Sequence, residues 1–117
     1  MDPHKEITAD ASGLPGEIIY NVTNKVNASI ANEWVQWMLN EHIPDIMKTK
    51  CFYSARMVKI LEIDESEGPT YAIQYHAASR SDYNRYIEIH ADSLRKKAFD
   101  KWGNKFFAFR SVMEIVK

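Results

Sequence analysis

Cysteine is almost missing from this chain. Cys51 stands alone among 117 residues, so no intrachain disulfide can form. Lys48 and Lys50 lie close enough in sequence to lower its pKa, but a lone thiol at an element boundary reads first as inert. Long apolar runs are absent too. No stretch approaches the roughly 18 residues of a membrane span, and the N-terminus lacks the apolar core of a signal peptide. A cytoplasmic protein with no membrane partner is the expectation. Charge of one sign is also lacking. Fifteen basic residues oppose sixteen acidic ones, for a net charge of −1, which leaves no electrostatic footprint for nucleic acid. The one basic cluster, Arg95-Lys96-Lys97 with Lys101, reads as the solvated face of an amphipathic helix. There is no Gly-rich phosphate loop and no Gly-x-Ser-x-Gly elbow, which argues against nucleotide transfer and a serine triad. His42, His76 and His90 match no ligand spacing, so neither a metal nor a cofactor is expected.

What is present suits one domain. Residues 1–16 carry two prolines and two glycines without periodicity and read as a flexible leader, with His4 outside any site. The single domain is placed at 17–117. Residues 17–26 alternate as a strand, with Ile18, Tyr20, Val22 and Val26 on the core face. Asn27 can cap a following helix. That helix carries Ile30, Trp34, Trp37 and Met38 at helical spacing and should end near His42, because Pro44 biases Ile43 away from helical angles. Residues 52–63 and 70–77 read as an antiparallel hairpin around the turn marked by Gly68-Pro69. Ser79 and Asp82 form a capping box for a long helix reaching Trp102, and Gly103 ends it. Residues 105–116 make the last strand.

The order βαββαβ predicts an α+β, ferredoxin-like fold. Its four-stranded antiparallel sheet carries both helices on one face, since right-handed crossovers place them together. Regular alternation then collects Ile19, Asn21, Thr23, Arg56, Val58, Ile60, Ala72, Gln74, His76, Phe106, Ala108, Arg110, Val112 and Glu114 on the other face. Such a mixture of apolar and hydrogen-bonding groups suits a pocket or an interface. An uncovered patch of this kind usually marks association. A homodimer whose sheets face one another, a dimeric α/β barrel, is the expected partnership.

Several motifs carry a family resemblance. They are Ile18-Ile19-Tyr20-Asn21-Val22-Thr23, Trp34-Val35-Gln36-Trp37-Met38, His42-Ile43-Pro44-Asp45, Ser54-Ala55-Arg56, Tyr71-Ala72-Ile73-Gln74-Tyr75 and Phe107-Ala108-Phe109-Arg110. Across residues 18–116 the chain resembles the domain of unknown function 4286 family. That resemblance implies a small soluble protein without an assigned reaction. More distantly the layout is similar to the dimeric α/β barrel superfamily, which includes monooxygenases, haem-degrading enzymes and muconolactone isomerases.

The ligand-pocket candidates are Asn21, Arg56, Gln74, His76, Arg110, Glu114 and His42. Arginines there would fork onto a carboxylate or phenolate of a small molecule. The bland alternative is an Arg–Glu network, with Arg56 or Arg110 against Glu114, holding two sheets together. His42 either bonds a backbone carbonyl at the broken helix end or acts as a general base. Asp45 either orients it or caps the next turn. His90 reads as a core histidine; the haem-degrading relatives keep iron ligation as the other reading. The leading expectation is a small-molecule-binding module. The alternative is a cofactor-independent monooxygenase or isomerase, in which Asn21, His42 or His76 handles the proton. Whether the chain is an enzyme stays open at this point.

Overall fold

In the computed structural model, which describes residues 13–117, apolar alternation at Ile18, Tyr20, Val22 and Val26 builds strand β1 (Ile18–Val26). The expected leader falls mostly on residues 1–12, outside the described residues, as does His4. Its last residue is tied down, since Gly16 N donates to Ile115 O at 2.8 Å. Strands β2 (Ser54–Lys59), β3 (Thr70–Ala77) and β4 (Phe106–Glu114) complete a four-stranded antiparallel sheet in the order β2-β3-β1-β4. β2 is shorter than its apolar pattern suggested. Ile60 N still donates to Thr70 O at 2.9 Å, but Glu62 adopts a positive φ of 58° and turns the chain out of the sheet.

Helix α1 covers 31–47 and does not stop at Pro44. It consists of an α-helical piece (Ala31–Trp37), a π turn (Met38–His42) and a second α-helical piece (Ile43–Met47). Proline lacks the N–H that would reach back four residues, and its ring crowds the carbonyl there. The π turn relieves both problems by shifting the bonding by one residue, with Ile43 N donating to Met38 O. Ile43 thereby keeps helical angles (φ −60°, ψ −46°) ahead of the proline. Asn27 does not cap α1 directly. Its Oδ1 accepts from Ser29 N at 2.8 Å, forming a turn before the helix begins. Helix α2 (80–102) is built alike, from Arg80–Arg85, a π turn at Tyr86–His90, and Ala91–Trp102. Ser79 Oγ caps it by accepting from Asp82 N at 3.1 Å.

The fold is ferredoxin-like, α+β, with the two helices packed on one face of the sheet. Trp34, Met38 and Ile46 from α1 and Tyr86, Ala91 and Leu94 from α2 meet Ile18, Tyr20, Ile73 and Tyr75 of the sheet in one core. Cross-strand pairs Tyr20↔Tyr75 and Val22↔Ile73 form its floor. Cys51 lies in this core at 2 % exposure, which suits an inert thiol.

The register of β4 departs from the expected one. Tyr20 pairs with Val112, Val22 with Arg110 and Ile18 with Glu114. Phe106, Ala108, Arg110, Val112 and Glu114 therefore lie on the helix side of the sheet. Phe107, Phe109, Ser111 and Met113 lie on the open side, opposite Lys25, Thr23, Asn21 and Ile19. Both parities of this strand are apolar, so alternation alone had no means of choosing between them.

Candidate functional site

The expected site residues divide between the two faces of the sheet. Asn21, Gln74, Arg56 and His76 share the open face through the pairs Asn21↔Gln74, Arg56↔Gln74 and Ser54↔His76. Their hydrogen bonds stay on this face. Asn21 Nδ2 donates to Thr23 Oγ1 at 3.0 Å, and Arg56 Nε donates to Gln74 Oε1 at 3.3 Å. His76 sits against the Tyr53 ring, and Tyr53 Oη donates to the buried carboxylate of Glu17. Burial pushes His76 below its ordinary pKa, Arg56 adds to that, and Glu17 opposes it. Glu114 is exposed at the end of β4 on the other face.

Arg110 and His42 meet elsewhere, in a cavity between the helices and the sheet. Its floor is Tyr20, Val22 and Asn24 of β1 with Ile73 and Tyr75 of β3; Phe106 and Arg110 of β4 close one side. Trp34, Met38, His42 and Ile46 enter from α1, and Tyr86, Arg95 and Ala98 from α2. The space open to the centre of a water molecule is about 50 Å³, enough for roughly three or four waters or a molecule of about that many heavy atoms.

Local sequence explains who reaches this cavity. The π turn of α1 ends at His42 and that of α2 begins at Tyr86. A π turn rotates the side chains that follow it relative to a regular helix, and such turns recur at functional sites. Arg95 falls four residues after Ala91 and three before Ala98, which places it on the buried stripe of α2. Arg110 reaches the cavity because β4 adopts the register described above.

Buried nitrogens without hydrogen-bond partners gather on residues that line the cavity. Among the described residues, five buried side-chain nitrogens lack a partner: Trp34 Nε1, His42 Nδ1, Arg95 Nε, His76 Nδ1 and Trp102 Nε1. The first three belong to residues that line this one cavity. Buried polar groups are nearly always paired, so their convergence marks a place where something polar belongs. Among the described residues, no aspartate or glutamate lines the cavity, whereas Arg95 and Arg110 both do. Arg95 is held in place by donating from Nη2 to Tyr20 Oη at 2.9 Å.

Burial pushes His42 down from 6.5 to about 4; Asp45 acts in the opposite sense and Lys97 adds to the fall. The imidazole is therefore neutral at pH 7. Its ring stacks on Trp37 at 4.6 Å between centroids, which fixes its orientation. Asp45 does not orient His42 by a hydrogen bond; it forms ion pairs with Lys48 (3.9 Å) and Lys97 (3.7 Å). Burial pushes the Tyr86 phenol well above its ordinary value, with Tyr20 reinforcing and Arg95 and Arg110 opposing. Tyr75 is raised by burial as well. Both phenols are thus neutral donors at the wall.

Trp34, Asn24, Tyr86 and Arg95 were not among the expected site residues. Two of them carried a signal. Asn24 interrupts the otherwise apolar face Ile18, Tyr20, Val22, Val26, and Arg95 interrupts the stripe Ala91, Ala98, Trp102. Trp34 and Tyr86 carried none, because an aromatic residue at a core position looks the same whether or not a cavity lies beside it. Among the described residues, no helix is long and apolar enough to cross a membrane.

The sequence profile described as Domain of unknown function (DUF4286) matches residues 17–116. No curated protein matches the chain. Among solved structures, the chain is similar to a dimeric ferredoxin-like protein from an uncultured marine organism, at 13 % identity and a TM-score of 0.63, covering 89 % of this chain and 98 % of that one. It is similar to an EthD-like protein from Ralstonia eutropha JMP134, at 13 % identity and a TM-score of 0.61, covering 89 % and 96 %. A hydroxynitrile lyase from Passiflora edulis shows 14 % identity and a TM-score of 0.59, covering 89 % and 99 %. At such identities the likeness is one of fold, and fold alone does not transfer a reaction.

Proposed function

Since the chain belongs to the DUF4286 family, in which no reaction is given in advance, we propose that it is a small-molecule-binding module whose ligand sits in the helix-side cavity. One observation carries this reading: Trp34 Nε1, His42 Nδ1 and Arg95 Nε are buried without partners around the same space. A ligand with acceptor atoms would satisfy Trp34 and Arg95, and His42 wherever its Nδ1 carries the proton, and Tyr20, Tyr86 and Phe106 would pack its apolar part. Asn21, Arg56, Gln74 and His76 then serve as polar contacts on the face where two sheets meet; the Arg–Glu network weighed for that face loses its glutamate, because Glu114 and Arg110 lie on the helix side.

The module is a homodimer in this reading, joined through the open face. Phe107, Phe109 and Met113 stand there at 61 %, 57 % and 41 % exposure, and the two phenylalanine rings lie 4.6 Å apart. Leaving such a cluster in water is unfavourable, and a twofold partner of the same shape removes it. One of the fold neighbours is itself described as dimeric.

Catalysis by a cofactor-independent monooxygenase or isomerase is the weaker reading. His42 would be its base, but a conjugate acid near 4 makes a feeble base toward carbon acids at neutral pH. The test is direct. The indole N–H signals of Trp34, Trp37 and Trp102 are followed by NMR while a library of small acceptor-bearing compounds is added. Binding in the cavity moves the Trp34 signal; a library that leaves it still, or moves only Trp37 and Trp102, sinks the reading.

A further inference from the structure

We infer that the ligand of this cavity is a small carboxylate or similarly delocalised monoanion, and that each anion enters together with one proton, which settles on His42. The inference rests on the cavity reading above and names the class of ligand that the cavity takes. Two observations lead to it.

The first is the sign of the wall. Among the described residues, Arg95 and Arg110 line the cavity, no carboxylate does, and the Nε–H of Arg95 and the indole N–H of Trp34 are donors without acceptors. Trp34 is fully buried, so its N–H cannot turn to solvent. A guanidinium suits a planar anion whose two oxygens accept in parallel. A neutral ligand would leave the half-buried Arg95 guanidinium with only Asp92 to offset it, while Arg110 is exposed to water.

The second is His42. Its Nδ1 is buried with no partner at the same wall, and stacking on Trp37 prevents the ring from swinging out. The charges that act on it are Asp45 on its own helix and Lys97 on α2; Arg95 on α2 and Arg110 on β4 line the same cavity. Asp45 is shared with Lys97 and Lys48 at 3.7 and 3.9 Å, which weakens its hold on the imidazole. The phenols of Tyr75 and Tyr86 stay neutral. In the free protein burial keeps the imidazole uncharged, with Asp45 opposing and Lys97 reinforcing, and the cavity that His42 lines offers it arginines and neutral phenols. A seated anion reverses this balance. It supplies the missing negative charge and an acceptor for an imidazolium N–H. Because binding and protonation are linked, a ligand that favours the charged imidazole must bind more tightly where protons are plentiful. The cavity thus takes up the equivalent of a weak acid, split into an anion held by arginines and a proton held by His42.

Formate and its neutral isostere formamide are the probes, small enough for a space of about 50 Å³, titrated calorimetrically into the full chain in buffers of differing ionisation heat. Formate stays ionised above about pH 5. At pH 5.5, uptake of close to one proton per bound formate is expected. Its affinity should rise up to about tenfold for each unit of pH lowered between 6.5 and 5.5, while formamide binds at least tenfold more weakly and without uptake. NMR titration of the His42 imidazole should move its pKa from about 4 to about 6.5 or above when formate is bound, and this readout needs no variant. His42→Gln should bind formate with no proton uptake. Formate binding with zero uptake and an unmoved His42 overturns the inference and leaves the cavity reading standing, as does formamide binding as tightly as formate. If neither probe shifts the Trp34 indole signal, the inference falls together with the cavity reading.

Discussion

Arg95 Nη2 donates to Tyr20 Oη at 2.9 Å, joining α2 to the central strand of the sheet across 75 positions of sequence. The bond uses one arm of the guanidinium and leaves Nε free at the cavity wall. It therefore both ties layers together and aims a cation. Burial works against the Arg95 charge, but the Tyr20 hydrogen bond and the neighbouring phenols outweigh it and raise the pKa. Tyr20→Phe keeps the ring among Phe52, Tyr75, Tyr83 and Tyr86 and removes only the acceptor. A loss of about 1–2 kcal/mol in urea unfolding is expected, with an unchanged slope. An unchanged midpoint would show that the bond does not matter to stability.

Stability should depend on pH through His42. The unfolded imidazole takes a proton near 6.5, while the folded one refuses it until about 4. A depressed histidine contributes its full stabilisation above 6.5 and loses it as pH falls from 6.5 toward 4, because the unfolded state binds the proton first. The loss across that window is about 3 kcal/mol. His76 is shifted in the same direction and adds in the same sense. Denaturation curves at pH 7, 6, 5 and 4 check this. His42→Gln should flatten most of the slope; a variant that keeps it assigns the slope to other groups.

The open face predicts its own assembly. Replacing Phe107 and Phe109 together by aspartate should turn a dimer of about twice 13.6 kDa into a monomer without changing the helical circular dichroism. Native mass spectrometry reads the masses. A wild-type chain that is monomeric at micromolar concentration would remove the dimer from this account.

Gly68 is expected to tolerate no side chain. Its φ is +146°, and a Cβ placed there would lie 1.9 Å from Val26 O and 2.7 Å from Ala28 N. The approach is close because the 60–69 loop bonds to the end of β1, with Ala28 N donating to Glu67 O and Val26 N to Pro69 O, both at 2.9 Å. Gly68→Ala should cost about 3 kcal/mol or more, visible as a drop in Tm of many degrees. A drop under two degrees would mean that the loop moves aside cheaply.

The fold was legible because each element announces itself locally. Ile18, Tyr20 and Val22 alternate, Ser79 caps α2, and Gly103 ends it with a φ of +60°. The candidate site was legible only in part. Asn21, Arg56, Gln74 and His76 lie together on the open face as the alternation of β1, β2 and β3 implied. Arg110 and Glu114 do not join them, because β4 carries phenylalanine at consecutive positions and either parity satisfies an apolar rule. Pro44 misled in another way. A proline ends a helix only when nothing upstream absorbs its missing N–H, and the π turn at Met38–His42 does absorb it.

By itself the sequence determined the order of elements, the antiparallel ferredoxin-like sheet and the identity of most core residues, because these depend on periodicity, capping and turn chemistry that act within a few residues. Only the tertiary structure decided the parity of β4, the passage of α1 through Pro44, and the gathering of Trp34, His42, Arg95 and Arg110 around one cavity. Those outcomes depend on which surfaces remain uncovered after the layers close. The missing hydrogen-bond partners of Trp34, His42 and Arg95 become visible only when helices and sheet are seen together.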